Sequence, residues 1–90
     1  MIILRRVEGN SMNPAYRHGQ IILMMTNRSF KKGDVVVAYM RGREVVKRIQ
    51  KTRSGAVFLL GDNGENSSDS RHYGWIKDAD VLGTVIWPRK

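Results

Sequence analysis

Apolar residues in this chain fall in short runs. Ile21 to Met25, Val35 to Ala38, Ala56 to Leu60 and Val81 to Trp87 are each bounded by Gly, Pro or polar residues. Runs this short and this rich in β-branched residues predict strands rather than buried helices. The expected strands are Gln20 to Met25, Asp34 to Met40, Glu44 to Gln50, Ala56 to Leu60 and Val81 to Trp87, the last stopped by Pro88, with a further short strand from Arg5 to Glu8. Arg41-Gly42-Arg43 predicts a tight reversal that makes a hairpin of its flanks, and Thr52 to Gly55 predicts a second. Gly9 to Pro14 reads as a turn region, Pro14 to Gly19 as one helical turn ending at its glycine, and Thr26 to Gly33 as a polar connection. The sum is a mostly β chain of about six strands, a small folded or barrel-like sheet with at most one short helical turn. Residues 1–90 read as one domain.

The segment Glu44 to Gln50 alternates, and its alternation carries chemical information. With a period of two, Val45, Lys47 and Ile49 share one face, while Glu44, Val46 and Arg48 share the other. Arg48 is thus placed beside Glu44, whereas Lys47 lies between two β-branched apolar residues. Such a lysine either reaches water along a sheet edge or is held in apolar surroundings for a purpose.

Gly61 to Gly74 breaks the strand pattern with Gly-Asp-Asn-Gly-Glu-Asn-Ser-Ser-Asp-Ser-Arg-His-Tyr-Gly. A hairpin turn takes about two to five residues. This segment is longer and dense in side-chain donors and acceptors, as an ordered polar network would be.

Composition narrows the chemistry. There is no Cys, so disulfides and thiolate metal sites are excluded. His18 and His72, with no carboxylate cluster near them in sequence, do not suggest a zinc site. No apolar run approaches a membrane span. Sixteen basic against eight acidic residues give a formal charge of +8, which favours anionic partners or simply aids solubility.

Ser11 stands in Gly9-Asn10-Ser11-Met12-Asn13-Pro14, where turn-forming neighbours present its hydroxyl at a bend. Alone, such a serine is more often a partner for nearby backbone. Four ordered blocks change the picture: Gly-Asn-Ser11-Met12-x-Pro14; Gly33-Asp34-Val35-Val36-Val37; Val45-Val46-Lys47-Arg48-Ile49; and Gly61-Asp62-Asn63 through Ser67-x-Asp69-Ser70-Arg71-x-x-Gly74. In this order they resemble the signal peptidase I family of serine–lysine proteases, across nearly the whole chain. The first block also suits the LexA-like self-cleaving repressors, and the last favours the signal peptidase branch.

The resemblance implies a nucleophile at Ser11, which would also give its backbone N–H to the oxyanion, and a general base at Lys47. It implies that Ser67 orients the Lys47 amine and that Asp69 and Arg71 pair to brace the loop. It implies a protein or peptide substrate cleaved after small residues in a signal peptide or pro-segment, bound as an added strand, with Val7, Met12, Val45 and Val46 as candidate lining. No metal or other cofactor is implied. The chemistry is coherent, because a serine needs a base and an amine serves if burial lowers its pKa.

Four departures qualify the resemblance. Gly9 stands where some bacterial members have a serine that supplies a second oxyanion donor. Gly64-Glu65 replaces the usual Arg-Asp. The typical anchoring helix before the serine block and the large insertion after the lysine are both missing from this sequence. The chain thus reads as a soluble, cytoplasmic, minimal catalytic core that reaches a membrane surface, if at all, through basic residues or a partner. A maturation protease for a cytoplasmic protein, as for nickel superoxide dismutase precursors, is one alternative. Another is a relative that has lost activity and binds peptides, and a small basic β module binding nucleic acid is a rival from a different class. The dispersed aromatics, which form no evident stacking platform, disfavour that rival.

Overall fold

The computed structural model describes residues 1–26 and 29–90, with Asn66 described as main chain alone. The middle of the expected polar connection from Thr26 to Gly33 therefore lies outside the described residues. The chain is mostly β. Seven strands, β1 (Ile2–Arg6), β2 (Ile21–Met25), β3 (Val35–Met40), β4 (Arg43–Arg53), β5 (Ala56–Leu60), β6 (Ile76–Lys77) and β7 (Val81–Trp87), form one sheet. The order across it is β1-β2-β7-β3-β4-β5-β6. Every neighbouring pair is antiparallel, and the sheet curls into a half-barrel.

Strand β3 explains the core. Its run Val35-Val36-Val37-Ala38 is buried throughout, and alternate side chains leave it in opposite directions. Val35 and Val37 join Val7, Met12, Tyr16, Ile22, Met24 and Val85 in one cluster. Val36, Ala38 and Met40 join Ile49, Val57, Leu59, Ile76 and Val81 in the other. A strand buried on both faces reads as a continuous apolar run, whereas β4, half solvated, alternates. The β3–β4 turn is two residues, Arg41 and Gly42, both with positive φ, the primed turn that suits twisted hairpins.

Several boundaries differ from the sequence expectation. The first strand is Ile2–Arg6 rather than Arg5 to Glu8, because its five residues pair in full register with β2 and the chain beyond Val7 leaves the sheet. Strand β4 runs on to Arg53, so the second reversal shrinks to Ser54 and Gly55. A two-residue strand, β6, raises the expected six to seven. Pro14 to Gly19 is not helical. One bond closes Tyr16 N–H on the Met12 carbonyl, and Tyr16 is drawn into the core with its hydroxyl donating to the Pro88 carbonyl. The short helix lies instead at α1, Ser70–Tyr73, inside the polar loop. Its signal was present: Asp69 accepts from Arg71 N–H as an N-cap, and Gly74 follows its last turn.

Candidate active site

Ser11 sits on an excursion of residues 8–18 between β1 and β2. Val7 closes the neck of this loop, its N–H donating to the Gln20 carbonyl and its carbonyl accepting from Gly19 N–H. Met12, next to Ser11, is buried in the first core cluster together with Tyr16. The apolar side chains that follow the half-buried serine thus fix the C-terminal arm of its turn.

The segment Gly61–Asn63, which leaves β5, holds this turn from the far side. Asn63 N–H donates to the Ser11 carbonyl at 2.7 Å, Asn63 Nδ2 to the Asn10 carbonyl at 3.1 Å, and Asp62 N–H to the Met12 Sδ at 3.3 Å. Gly61 makes the approach possible. A Cβ there would lie 2.2 Å from Ser67 Oγ and 2.7 Å from the Ser11 carbonyl oxygen, distances that real side chains do not tolerate. The missing side chain is what lets the serine turn and Ser67 meet. Sequence reasoning placed Gly61, Asp62 and Asn63 at the head of the fourth block and in an oversized loop after a buried strand, and gave them no role of their own.

Lys47 is 4% exposed on β4, opposite Val36 of β3. Its Nζ donates to Ser67 Oγ at 3.2 Å. Ser67 in turn donates to Asp69 Oδ2 at 2.7 Å. Asp69 is wholly buried, and its carboxylate accepts more. Gly61 N–H and Arg71 Nη2 reach Oδ2 at 2.9 and 2.7 Å, and Arg71 Nε and N–H reach Oδ1 at 2.9 and 3.1 Å. Ser70, also buried, accepts from Leu59 N–H and ties the helix to β5.

The electrostatics follow from this wiring. Burial opposes ionisation of Asp69, but the bonds from Arg71, Gly61 and Ser67 outweigh it and hold the carboxyl well below the usual carboxylate range. Lys47 is shifted the other way from a free lysine. Burial lowers its pKa, the Asp69 charge resists, and the Arg71 charge assists burial. Asp69 raises it less than burial lowers it, with a forked guanidinium already on that carboxylate and a neutral hydroxyl between. Desolvation therefore wins.

The other face of β4 is arranged differently. Arg48 does not pair with Glu44, which Arg5 engages. Arg48 forks onto Asp62 with two bonds of 2.9 Å and donates a third to the Gly33 carbonyl. Residues four apart on a strand lie too far along it to meet, whereas Asp62 arrives from β5 beside Leu60, the residue in register with Arg48.

Of the candidate residues, Lys47, Ser67, Asp69 and Arg71 form one connected chain of bonds, and the Ser11 carbonyl abuts it through Gly61 and Asn63. Among the described residues no hydrogen bond joins the Ser11 hydroxyl to the Lys47 amine. Val7 and Met12 are buried at 2% and 1% exposure. Val45 and Val46 are half-buried, and pack against different core clusters. Phe58 and Trp75 pack edge to face with Lys51 and Arg53 over their rings. Among the described residues no helix is long and apolar enough to cross a membrane.

Comparison with known proteins points to one group of peptidases. A signal peptidase I from Bacillus caldolyticus is 47% identical over 45 residues, a match covering 44% of this chain and 25% of that relative. The model of the Peptidase S24-like family matches residues 2–86. The fold, the placement of the serine turn against the polar loop, and a match spanning nearly every residue lead to one conclusion: this chain belongs to the Peptidase S24-like family, within the signal peptidase and LexA-like peptidases.

Proposed function

We propose that this chain is a serine endopeptidase in which Ser11 is the nucleophile and Lys47 the general base. The observation that carries the reading is the buried chain from Lys47 through Ser67 to Asp69 and Arg71. An ionised carboxylate accepts and never donates. Ser67 therefore commits its one proton to Asp69 and turns lone pairs toward Lys47, so the amine must donate to Ser67. In the neutral amine this leaves the nitrogen lone pair free to face Ser11. A lysine with a lowered pKa, oriented by an acceptor, fits a base near neutral pH.

In this reading a bound substrate brings the Ser11 hydroxyl onto Lys47, since catalytic bonds commonly tighten in the complex. Ser11 Oγ adds to the scissile carbonyl as its proton passes to Nζ. The tetrahedral oxyanion is met by Ser11 N–H. Collapse breaks the peptide bond, the Lys47 ammonium returns the proton to the leaving amine, and water, activated by the same amine, hydrolyses the acyl-serine. Gly9 brings no side-chain donor to the oxyanion. Its φ of +78° is a conformation that L side chains avoid, so a serine is ill suited to that position here. One missing donor is worth about 3 kcal/mol, roughly a hundredfold in rate.

The substrate proposed is a protein or peptide cleaved after small residues, in a signal peptide or pro-segment. Val46 retains surface for it above the cluster that holds Val7 and Met12, and Val45 retains surface on the opposite face of β4. A cleavage-site profile on a peptide library tests the whole reading. Native protein should cut after small residues, and Ser11→Ala and Lys47→Ala should each abolish the cuts. Undiminished cleavage by either variant overturns the dyad.

A further inference from the structure

The arm of the serine turn that precedes Ser11 is held by different means from the arm that follows. Beyond Ser11, Met12 and Tyr16 are buried, and Asn63 holds the carbonyls of Ser11 and Asn10 at the middle of the turn. Before it, Glu8, Gly9 and Asn10 are all exposed. The Asn10 carbonyl accepts from Asn63 Nδ2 and Asn13 N–H, both at 3.1 Å, while the start of the arm is tied by the donation of the Gly9 N–H to His18 Nδ1 at 2.8 Å. His18 is presented by a turn with two fixed ends. Arg17 N–H donates to Gln20 Oε1 and Gln20 N–H to the Arg17 carbonyl, both at 3.0 Å, and Gly19 N–H is bonded to Val7. The imidazole thus stands on the rigid neck of the loop and reaches across to the one residue where the chain takes a left-handed φ before Ser11.

We propose that His18 is a positioning residue for the nucleophile, holding the Gly9–Ser11 arm through the Gly9 N–H and releasing it on protonation. This inference rests on the peptidase reading of Ser11. To accept at Nδ1 the ring must be neutral with its proton on Nε2. Imidazolium carries a proton on both nitrogens, so the acceptor is lost and two N–H groups face each other. Histidine is the side chain that makes this change within pH 5–8. Glu8 and Arg17 flank the pair and Arg6 ends β1. Among the described residues none of them is joined to the imidazole by an ion pair or hydrogen bond, and Asp62, on the segment packed against the loop, is engaged by Arg48. The consequence is a pH dependence of cleavage that follows the Gly9–His18 tie, separate from that of the base. The tie acts on the turn and not on the substrate, so it moves kcat more than KM.

The test compares native protein with His18→Asn, whose Oδ1 replaces the Nδ1 acceptor without titrating, and with His18→Ala. In native protein the Gly9 amide resonance, followed by NMR from pH 5 to 8, should trace the same curve as the His18 ring protons. That curve should vanish from Gly9 in both variants. His18→Ala should lower kcat about three- to tenfold, the range of one modest hydrogen bond, and His18→Asn should restore it while erasing this pH dependence. A Gly9 amide indifferent to His18 ionisation, or native kcat and an intact pH dependence in His18→Ala, overturns the proposal. A chain that cleaves nothing overturns the peptidase reading, and the Gly9 titration then decides the tie by itself.

Discussion

Lys47 and Arg48 are adjacent cations on one strand, and the same loop meets both. On one face Asp62 is offered directly, and Arg48 takes it in a forked, partly exposed pair. Its charge is reinforced, since the Asp62 hydrogen bond raises its pKa further. On the other face Asp69 is offered through Ser67, with Arg71 already bound to the carboxylate. Lys47 receives a hydroxyl in place of a counter-ion, and burial lowers its pKa. The difference lies in one interposed side chain and one competing guanidinium. A carboxylate in contact with a cation fixes its charge; the same carboxylate behind a neutral hydroxyl, with its charge balanced elsewhere, orients an amine and leaves burial to lower its pKa.

The largest separation between the two faces should appear in activity. Lys47→Met should lower kcat/KM for peptide cleavage by about 10³, the scale of a lost general base, with the fold retained because a similar volume fills a buried site. Arg48→Met should leave kcat/KM within about tenfold and instead cost about 1 kcal/mol, seen as a Tm lower by roughly 4–8 °C. Equal losses of activity in both variants would erase the functional distinction between the faces. The ranking should reverse for their carboxylates in stability. Asp69→Asn removes a wholly buried charge and turns one of its two acceptor oxygens into an NH2 donor, and should cost about 3 kcal/mol, a Tm drop of more than about 12 °C. Asp62→Asn, more exposed, should cost about 1 kcal/mol.

The split between the faces was legible in sequence because period two is a property of any strand, and β4 is a strand. Lys47 between Val45 and Ile49 could therefore be placed among apolar residues before any coordinates. Its partner Ser67, and the pairing of Asp69 with Arg71, came from the resemblance and not from periodicity. Asp62 and Asp69 occur in one loop with the same side chain, and only the path of that loop decides which meets Arg48 directly and which stands behind Ser67. Period two likewise puts Arg48 on the face of Glu44 without naming its partner: local spacing names a face, while the loop after β5 supplies the contact. Strands β3, β5 and β7 were readable to within a residue from their runs. Strand β6, at two residues, carries too little pattern to show. The roles of Gly61 and His18 are distances between segments far apart in the loop closure, which no periodicity reports.

Acid unfolding should sharpen the contrast at a smaller scale. The folded Asp69 carboxyl is held below its unfolded value of ~3.9, so the folded state binds fewer protons there. Its stabilisation is complete above that value and is lost as pH falls toward the depressed folded one. The slope cannot exceed about 1.4 kcal/mol per pH unit for one group. Urea unfolding between pH 2 and 6 should show this loss in native protein and in Asp62→Asn, and a flatter dependence in Asp69→Asn. A native curve superimposable on that of Asp69→Asn would remove Asp69 as its source.

The smallest effect probes the guanidinium that competes for Asp69. Arg71 is 44% exposed and sits outside the core, so Arg71→Met should disturb stability less than Asp69→Asn does. Its effect on the base has a definite sign. With Arg71 gone, Asp69 keeps a charge that nothing balances and Lys47 loses a repulsive neighbour; both changes favour the ammonium. The alkaline-rising limb of kcat/KM, which reports the base of the free enzyme, should then move to higher pH, and cleavage at pH 7 should fall while the plateau at high pH recovers. Asp69→Asn should move the same limb to lower pH, since Arg71 then faces Lys47 without its carboxylate. Opposite displacements from two partners of one ion pair are hard to obtain from general loosening of a loop. Displacements of the same sign would mean that the pair braces the loop without setting the charge of Lys47.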